Sequence, residues 1–286
     1  QFFYGLTLLL IGLFEKVVIA DGLLAPVADK VFDAYGRQGF IESWTGAIAF
    51  TGQIFCDFAG YSSCAIGTAL LFGIKLPKNF QFPYAAIGFS DFWKRWHISL
   101  SEWLRDYLYI SLGGNRKGNI RTYINLMITM ILGGLWHGAS WTFIIWGALH
   151  GCYLILERII KKIEFIKIKD NNLTFKIMLT LFTYIIVAIT WVFFRSSSIE
   201  KANEIIKTML WIDNGTLSLN IDNPTVMMVF GINAIILFIH YYMRNKSLEI
   251  VANNTHWALK AAVLTFMMVS IITASGEDRA FIYFQF

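Results

Sequence analysis

Apolar positions along the chain gather into runs that approach the roughly 20 residues a helix needs to cross a hydrocarbon core. Residues 175–194, 226–242 and 257–273 read as spanning helices, and 139–156 as a further one. Three earlier stretches, 2–20, 47–74 and 123–136, are apolar but interrupted by Glu15, Lys16, Asp57, Asn125 and several glycines. Such interruptions are tolerated where a helix faces other protein or a water-filled cavity, and that is where these stretches are expected. Segment 89–110 has a different pattern. Phe92, Trp93, Trp96, Leu100, Trp103, Leu104 and Tyr107 recur every three or four residues, which predicts one amphipathic helix with an apolar stripe. Its other face carries Lys94, Arg95, His97, Ser101, Glu102, Arg105 and Asp106, and Ser90 or Asp91 is placed to cap its start. Either this helix lies in the headgroup zone, anchored by its tryptophans, or its polar face, His97 included, lines a polar entry to the interior.

Composition confirms the membrane setting: 56% of residues are hydrophobic and 15% charged, against roughly 25% charged in soluble domains. The predicted fold class is therefore all-α, a polytopic transmembrane helical protein. The net charge of +5 is modest and its basic residues are clustered, so positive-inside asymmetry explains them better than nucleic-acid binding. One cluster is Arg158, Lys161, Lys162, Lys167, Lys169 and Lys176, and the other is Arg116, Lys117 and Arg121. With both on the cytoplasmic side, 123–156 enters and leaves by the same face as a hairpin or re-entrant pair, with His137 at its turn. The three cysteines show no paired metal-type spacing and read as small core residues. No metal site is predicted, and there is neither a phosphate-binding loop nor a G-x-S-x-G elbow.

Two ionisable side chains inside apolar stretches carry the candidate chemistry. Residues 133–141, Gly-Gly-Leu-Trp-His-Gly-Ala-Ser-Trp, set His137 among small and aromatic neighbours. An imidazole with an ordinary pKa near 6.5 can take a proton and return it; the bland reading is a buried ring held by a carbonyl or by Asn125. Asp57 is the second. A carboxylate near the bilayer centre costs roughly 2.5 to 3.5 kcal/mol, so a partner is expected, with Arg95, Arg105 or a histidine the candidates. That pairing would either lock helices together or serve catalysis. The basic turn at 113–118 reads as a loop, or as a phosphate holder. A transporter that relays protons or binds a cation through Asp57, His97 and His137 is the alternative function class.

Several ordered motifs decide between these. They are Gly12-Leu13-Phe14-Glu15-Lys16, Asp57-Phe58-Ala59-Gly60-Tyr61-Ser62, Leu76-Pro77-Lys78-Asn79-Phe80 and Phe92-Trp93-Lys94-Arg95-Trp96-His97-Ile98-Ser99. Further along come Trp103-Leu104-Arg105-Asp106-Tyr107, Gly134-Leu135-Trp136-His137-Gly138, Trp146-Gly147-Ala148-Leu149-His150-Gly151 and the terminal 281–286. With these motifs the chain resembles the membrane-bound O-acyltransferase (MBOAT) family. The nearest branch is that of the alginate O-acetyltransferase membrane subunits, which are related to peptidoglycan O-acetylating and D-alanyl-lipoteichoic-acid proteins.

The resemblance implies re-entrant and amphipathic interfacial helices around a central tunnel, and one membrane domain over 1–286 that is preceded in the family by further helices. Part of the tunnel wall is accordingly expected outside this chain. It also implies an enzyme of the bacterial inner (cytoplasmic) membrane, surrounded by lipid. The acyl group, most simply acetyl, would come from a cytoplasmic thioester donor such as acetyl-CoA. It would serve O-acetylation of a cell-envelope or extracellular polysaccharide, with a separate extracytoplasmic acetyltransferase as partner and no bound cofactor. By the same resemblance His137 is the catalytic histidine and His97 its companion. Asp57, Trp93, Arg95, Arg105, Asn125, Trp136 and Trp141 are the further candidates for binding substrate or lining the tunnel. Ser63 stands where the branch usually has aspartate, so no role for a carboxylate is carried over to that position.

Overall fold

The computed structural model describes residues 1–34, 36–162, 172–212, 215, 218–274 and 281. Lys167, Lys169 and residues 282–286 of the terminal motif lie outside the described residues. The chain begins with α1 (Phe2–Leu13), a π-helical stretch (Phe14–Leu24), α2 (Ala25–Phe32) and α3 (Phe40–Leu71). Three short elements follow, α4 (Phe89–Trp93), α5 (Ile98–Trp103) and a second π-helical stretch (Leu104–Tyr109). The remainder is α6 (Gly118–His137), α7 (Trp141–Lys162), α8 (Leu173–Arg195), α9 (Ile199–Met209), α10 (Asn223–Met243), α11 (Leu248–Asn254) and α12 (Trp257–Thr273). No strand occurs among the described residues.

α3, α7, α8 and α10 are long and apolar enough to cross a membrane, and α12 is an apolar helix of 17 residues. The protein is thus all-α and multi-pass. The clean apolar runs coincide with α7, α8, α10 and α12, because an unbroken apolar run of that length has no other way to satisfy its backbone in lipid. The segment after α8 contains α9, whose Ala202 and Ile205 are buried.

The chain forms two compact units, one of Gln1–Asn79 with Lys207–Phe286 and the other of Phe80–Ile206. In the first, α1 and its π continuation lie against α3 with the two backbones touching. A Cβ built on Gly12 would stand 2.5 Å from the Gly60 carbonyl oxygen, and one on Gly67 would stand 2.6 Å from that of Gly5. Gly5 and Gly12 on one helix, and Gly60 and Gly67 on the other, are each seven residues apart, the spacing that keeps small residues on one face. Small residues matter in lipid because helix association there rests on close packing rather than on a hydrophobic drive.

This approach decides the partner of Asp57. Lys16 is carried against α3, where its ammonium pairs with the buried carboxylate of Asp57 and, at 2.9 Å, with Asp21. The expected partners Arg95 and Arg105 are engaged elsewhere, Arg95 with Asp91 and Arg105 with Asp106. Breaking one side of a buried ion pair costs about 3–5 kcal/mol. Lys16→Met is therefore expected to accumulate poorly and to melt earlier in detergent, and adding Asp57→Asn should restore much of the loss. Wild-type accumulation and melting of Lys16→Met would show that the pair does not hold these helices.

The second unit is built on a hairpin. α6 and α7 run antiparallel with their backbones in contact, since a Cβ on Gly134 would lie 2.2 Å from the Phe143 carbonyl oxygen and one on Gly147 would lie 2.3 Å from that of Met130. Far from the turn, Lys162 hydrogen-bonds Asn119 and covers the Tyr123 ring. The expected hairpin over 123–156 is therefore present, with the short turn 138–140 following His137.

Candidate active site

The predicted amphipathic helix over 89–110 is broken in the middle, and the break is what places His97. α4 ends at Trp93, the chain turns through 94–97, and α5 restarts at Ile98. On a continuous helix Trp96 and His97 would point roughly 100° apart; the turn instead buries both, at 2% and 8% exposure. His97 itself makes the turn, with φ +42° and ψ +56°. A side chain other than glycine in that left-handed region costs about 1–3 kcal/mol and persists only where its surroundings impose it.

Those surroundings are polar and specific. Asp91 accepts from the Ile87 amide and from Arg95 Nε, both at 2.9 Å. Arg95 Nη1 donates to the Gln81 carbonyl at 3.1 Å, and the Gln81 amide donates to the Arg95 carbonyl at 3.0 Å. Ser101 Oγ donates to the Trp96 carbonyl at 3.1 Å, and the Leu100 amide donates to His97 Nδ1 at 3.3 Å. The imidazole thus caps the helix it precedes. Burial pushes the His97 imidazole down to about 4, so the ring is neutral at physiological pH.

The start of α4 is held from a distance. Neither Ser90 nor Asp91 caps it. Glu157 of α7 accepts from the Ser90 amide at 2.9 Å, and Thr183 Oγ1 accepts from the Gly88 amide at 3.0 Å. Glu157 gave no signal in the sequence, since it lies 67 residues from the amide it serves.

His137 ends α6 inside an aromatic box. Its ring centroid lies 5.0 Å from Trp136, 5.1 Å from Phe194 and 5.3 Å from Trp146, each edge-to-face. Trp146 and Phe194 are themselves fully buried. A Cβ on Gly138 would stand 2.7 Å from the Phe143 ring, so the glycine lets that ring close over the turn. His97 meets Trp136 edge-on at 6.1 Å, which sets both histidines against one indole.

The other predicted residues divide. Trp93 and Arg105 line a cavity of about 510 Å³ whose wall includes Lys94, Glu102, Met130 and Arg158. Trp93 also touches Trp146 and His150, with centroids 5.8 Å and 5.1 Å away. Asn125, expected beside His137 or along the tunnel, instead donates to the Leu112 and Gly114 carbonyls at 3.3 and 2.9 Å, tying the basic glycine turn to α6. Arg95 belongs to the turn that holds His97. Trp141 is 70% exposed at the start of α7. Asp57 lies in the first unit, paired with Lys16. His150 is fully buried among Phe92, Trp93, Trp146 and Tyr153, with neither ring nitrogen hydrogen-bonded to a described residue. Among the described residues no cluster of His, Cys, Asp or Glu could hold a metal.

Comparison of the sequence gives the class of this multi-pass helical protein: the chain belongs to the membrane-bound O-acyltransferase family, whose model matches residues 1–194. It is 39% identical to a probable alginate O-acetylase of Pseudomonas putida, over 100% of this chain and 61% of that protein. It is 37% identical to a peptidoglycan O-acetyltransferase of Helicobacter pylori, over 99% of this chain and 56% of that protein. A teichoic acid D-alanyltransferase of Streptococcus thermophilus is 38% identical over 37% of this chain and 27% of that protein. The chain spans about half the length of the curated relatives it matches. None of these relatives supports the transporter alternative.

Proposed function

We propose that this chain is the catalytic membrane part of an O-acyltransferase that moves an acyl group, most simply acetyl, from a thioester such as acetyl-CoA onto a hydroxyl acceptor. The observation that carries the reading is the pair of histidines, His97 and His137, set against Trp136 in a chain of this family. A hydroxyl is a weak nucleophile near neutral pH and needs a positioned base, which the reading assigns to His137. As the hydroxyl oxygen bonds to the thioester carbonyl carbon, His137 takes its proton and the carbonyl π pair moves onto oxygen. When the tetrahedral adduct collapses, the C–S bond breaks, the thiolate leaves with the electron pair, and His137 returns the proton to sulfur. The products are an ester and a free thiol. The donor is a substrate, and the mechanism uses no resident cofactor.

The names of the relatives point to a polysaccharide of the cell envelope or outside it as the final acceptor; the inner membrane of a bacterium is the location this reading assigns. A bulky polymer outside the membrane suits a separate extracytoplasmic acetyltransferase that collects the acyl group. The test is transfer of radiolabelled acetyl from acetyl-CoA to polymer in membranes containing the full-length protein together with its envelope components. Label in the polymer that depends on this protein is the expected result. The reading fails if polymer is labelled equally without it.

A further inference from the structure

The cavity of about 510 Å³ carries charge that the protein itself leaves unanswered. Lys94 and Arg158 both line it, and neither forms an ion pair among the described residues. Arg158 is half-buried, with Nε shielded from solvent and donating to nothing among those residues. A guanidinium is always charged, and a shielded charge without a partner is costly. The third cation of the lining, Arg105, is held by both carboxylate oxygens of Asp106, and Glu102 is the one carboxylate in the lining. The two unanswered cations are brought to one place. Ser90 and Lys94 stand four residues apart along α4 and so share a face, and the Ser90 amide is held at 2.9 Å by Glu157, the chain neighbour of Arg158. The Ser90 hydroxyl, the Lys94 ammonium and the Arg158 guanidinium therefore gather at one end of the cavity. Leu126, Met130 and Leu154 continue its wall with apolar side chains.

We propose that this cavity binds one anionic phospholipid, with its phosphate on Arg158, Lys94 and Ser90 and the start of an acyl tail against Leu154, Leu126 and Met130. The inference stands apart from the acyl-transfer reading, because holding a lipid needs no turnover. A guanidinium fork pairs two oxygens of a phosphate, and an ammonium adds a point charge beside it. The depth also fits. Arg158 lies four residues, about 6 Å along the helix, from Lys162, which hydrogen-bonds Asn119 and so joins the basic clusters 116–121 and 158–162 at one end of the hairpin. Such clusters at helix ends mark the headgroup level, and basic pockets between membrane helices there take acidic headgroups. Leu154 lies about 6 Å from Arg158 in the other direction, toward the interior. A soluble thioester donor carries phosphate too, but the amides of its pantetheine arm would find no hydrogen-bond partner on Leu126, Met130 and Leu154, whereas a hydrocarbon tail needs none.

The test uses full-length protein purified in detergent, freed of lipid and titrated with dioleoylphosphatidylglycerol or with dioleoylphosphatidylcholine, bound lipid being counted by native mass spectrometry. The expected result is one phosphatidylglycerol per chain, with phosphatidylcholine, whose choline cancels the phosphate charge, held about tenfold more weakly. Arg158→Gln is expected to weaken phosphatidylglycerol about tenfold and Lys94→Gln about fivefold. The melting temperature of the lipid-free variants should match wild type, because neither substitution leaves a partner behind. Lys94 is exposed, so Lys94→Gln decides the matter should Arg158→Gln fail to fold. Arg121→Gln removes the same charge from the adjoining basic cluster but outside the cavity, and the lipid should stay bound. Equal weakening by Arg121→Gln, or equal binding of the two lipids, would overturn the inference in favour of general attraction to a basic surface. Displacement of phosphatidylglycerol by acetyl-CoA or by inorganic phosphate would overturn it in favour of a soluble phosphate. None of these outcomes touches the acyltransferase reading, which stands or falls on labelled polymer.

Discussion

His137→Ala abolishes acetyl transfer while the protein still inserts and accumulates. General-base help is worth roughly 10²- to 10⁴-fold, and the box of Trp136, Phe143, Trp146 and Phe194 offers no other proton acceptor in its place. Folding should survive because the substitution adds no charge and the aromatic neighbours pack one another, with Trp146 and Phe194 centroids 5.2 Å apart and Phe143 and Phe194 4.9 Å apart. The measurement is label transferred per unit of membrane protein, with the variant's level read on a blot. Undiminished transfer at equal level would remove His137 from the mechanism and leave it a packing residue.

Gly134→Val prevents the second unit from folding, and with it every activity. The clash is with backbone, 2.2 Å from the Phe143 carbonyl oxygen, so no side-chain rotation relieves it. Overpacking a close contact costs about 1–3 kcal/mol. Here α6 and α7 must also separate along their length, since Gly147 meets Met130 in the same manner at 2.3 Å. Separation would tilt the end of α6 that carries His137. Gly231→Val supplies the control, because a Cβ there meets nothing within 4 Å and α10 should accept it. Accumulation and detergent melting of the two variants check the contrast. A Gly134→Val protein as abundant and as stable as Gly231→Val would show that the hairpin does not need its glycines.

These predictions draw unequally on sequence and structure. The helical, membrane-spanning character was fixed by periodicity and length, because lipid leaves an apolar segment no other way to satisfy its backbone. α8, α10 and α12 were accordingly readable to within three residues, and α7 with its end six residues short. His137 was legible because an imidazole between glycines in an apolar run is unusual in itself, and the family motifs marked His97. The break between α4 and α5 was not legible. The spacing of Phe92, Trp96, Leu100 and Leu104 satisfies a straight helix equally well, and only the packing that buries Trp96 and His97 together, with Asp91 and Arg95 tying the turn, selects the bent one. The pairing of Asp57 with Lys16 likewise depended on Gly12 and Gly60 bringing two backbones into contact, which no local pattern reports. Glu157 at the start of α4 and Asn125 on the glycine turn joined the fold through partners distant in sequence. Sequence by itself determined which segments enter the membrane and which residues carry reactive groups, since those follow from local composition and period. Tertiary structure alone decided which nitrogen of His97 is committed and which charges meet, since both depend on atoms brought together from separate segments.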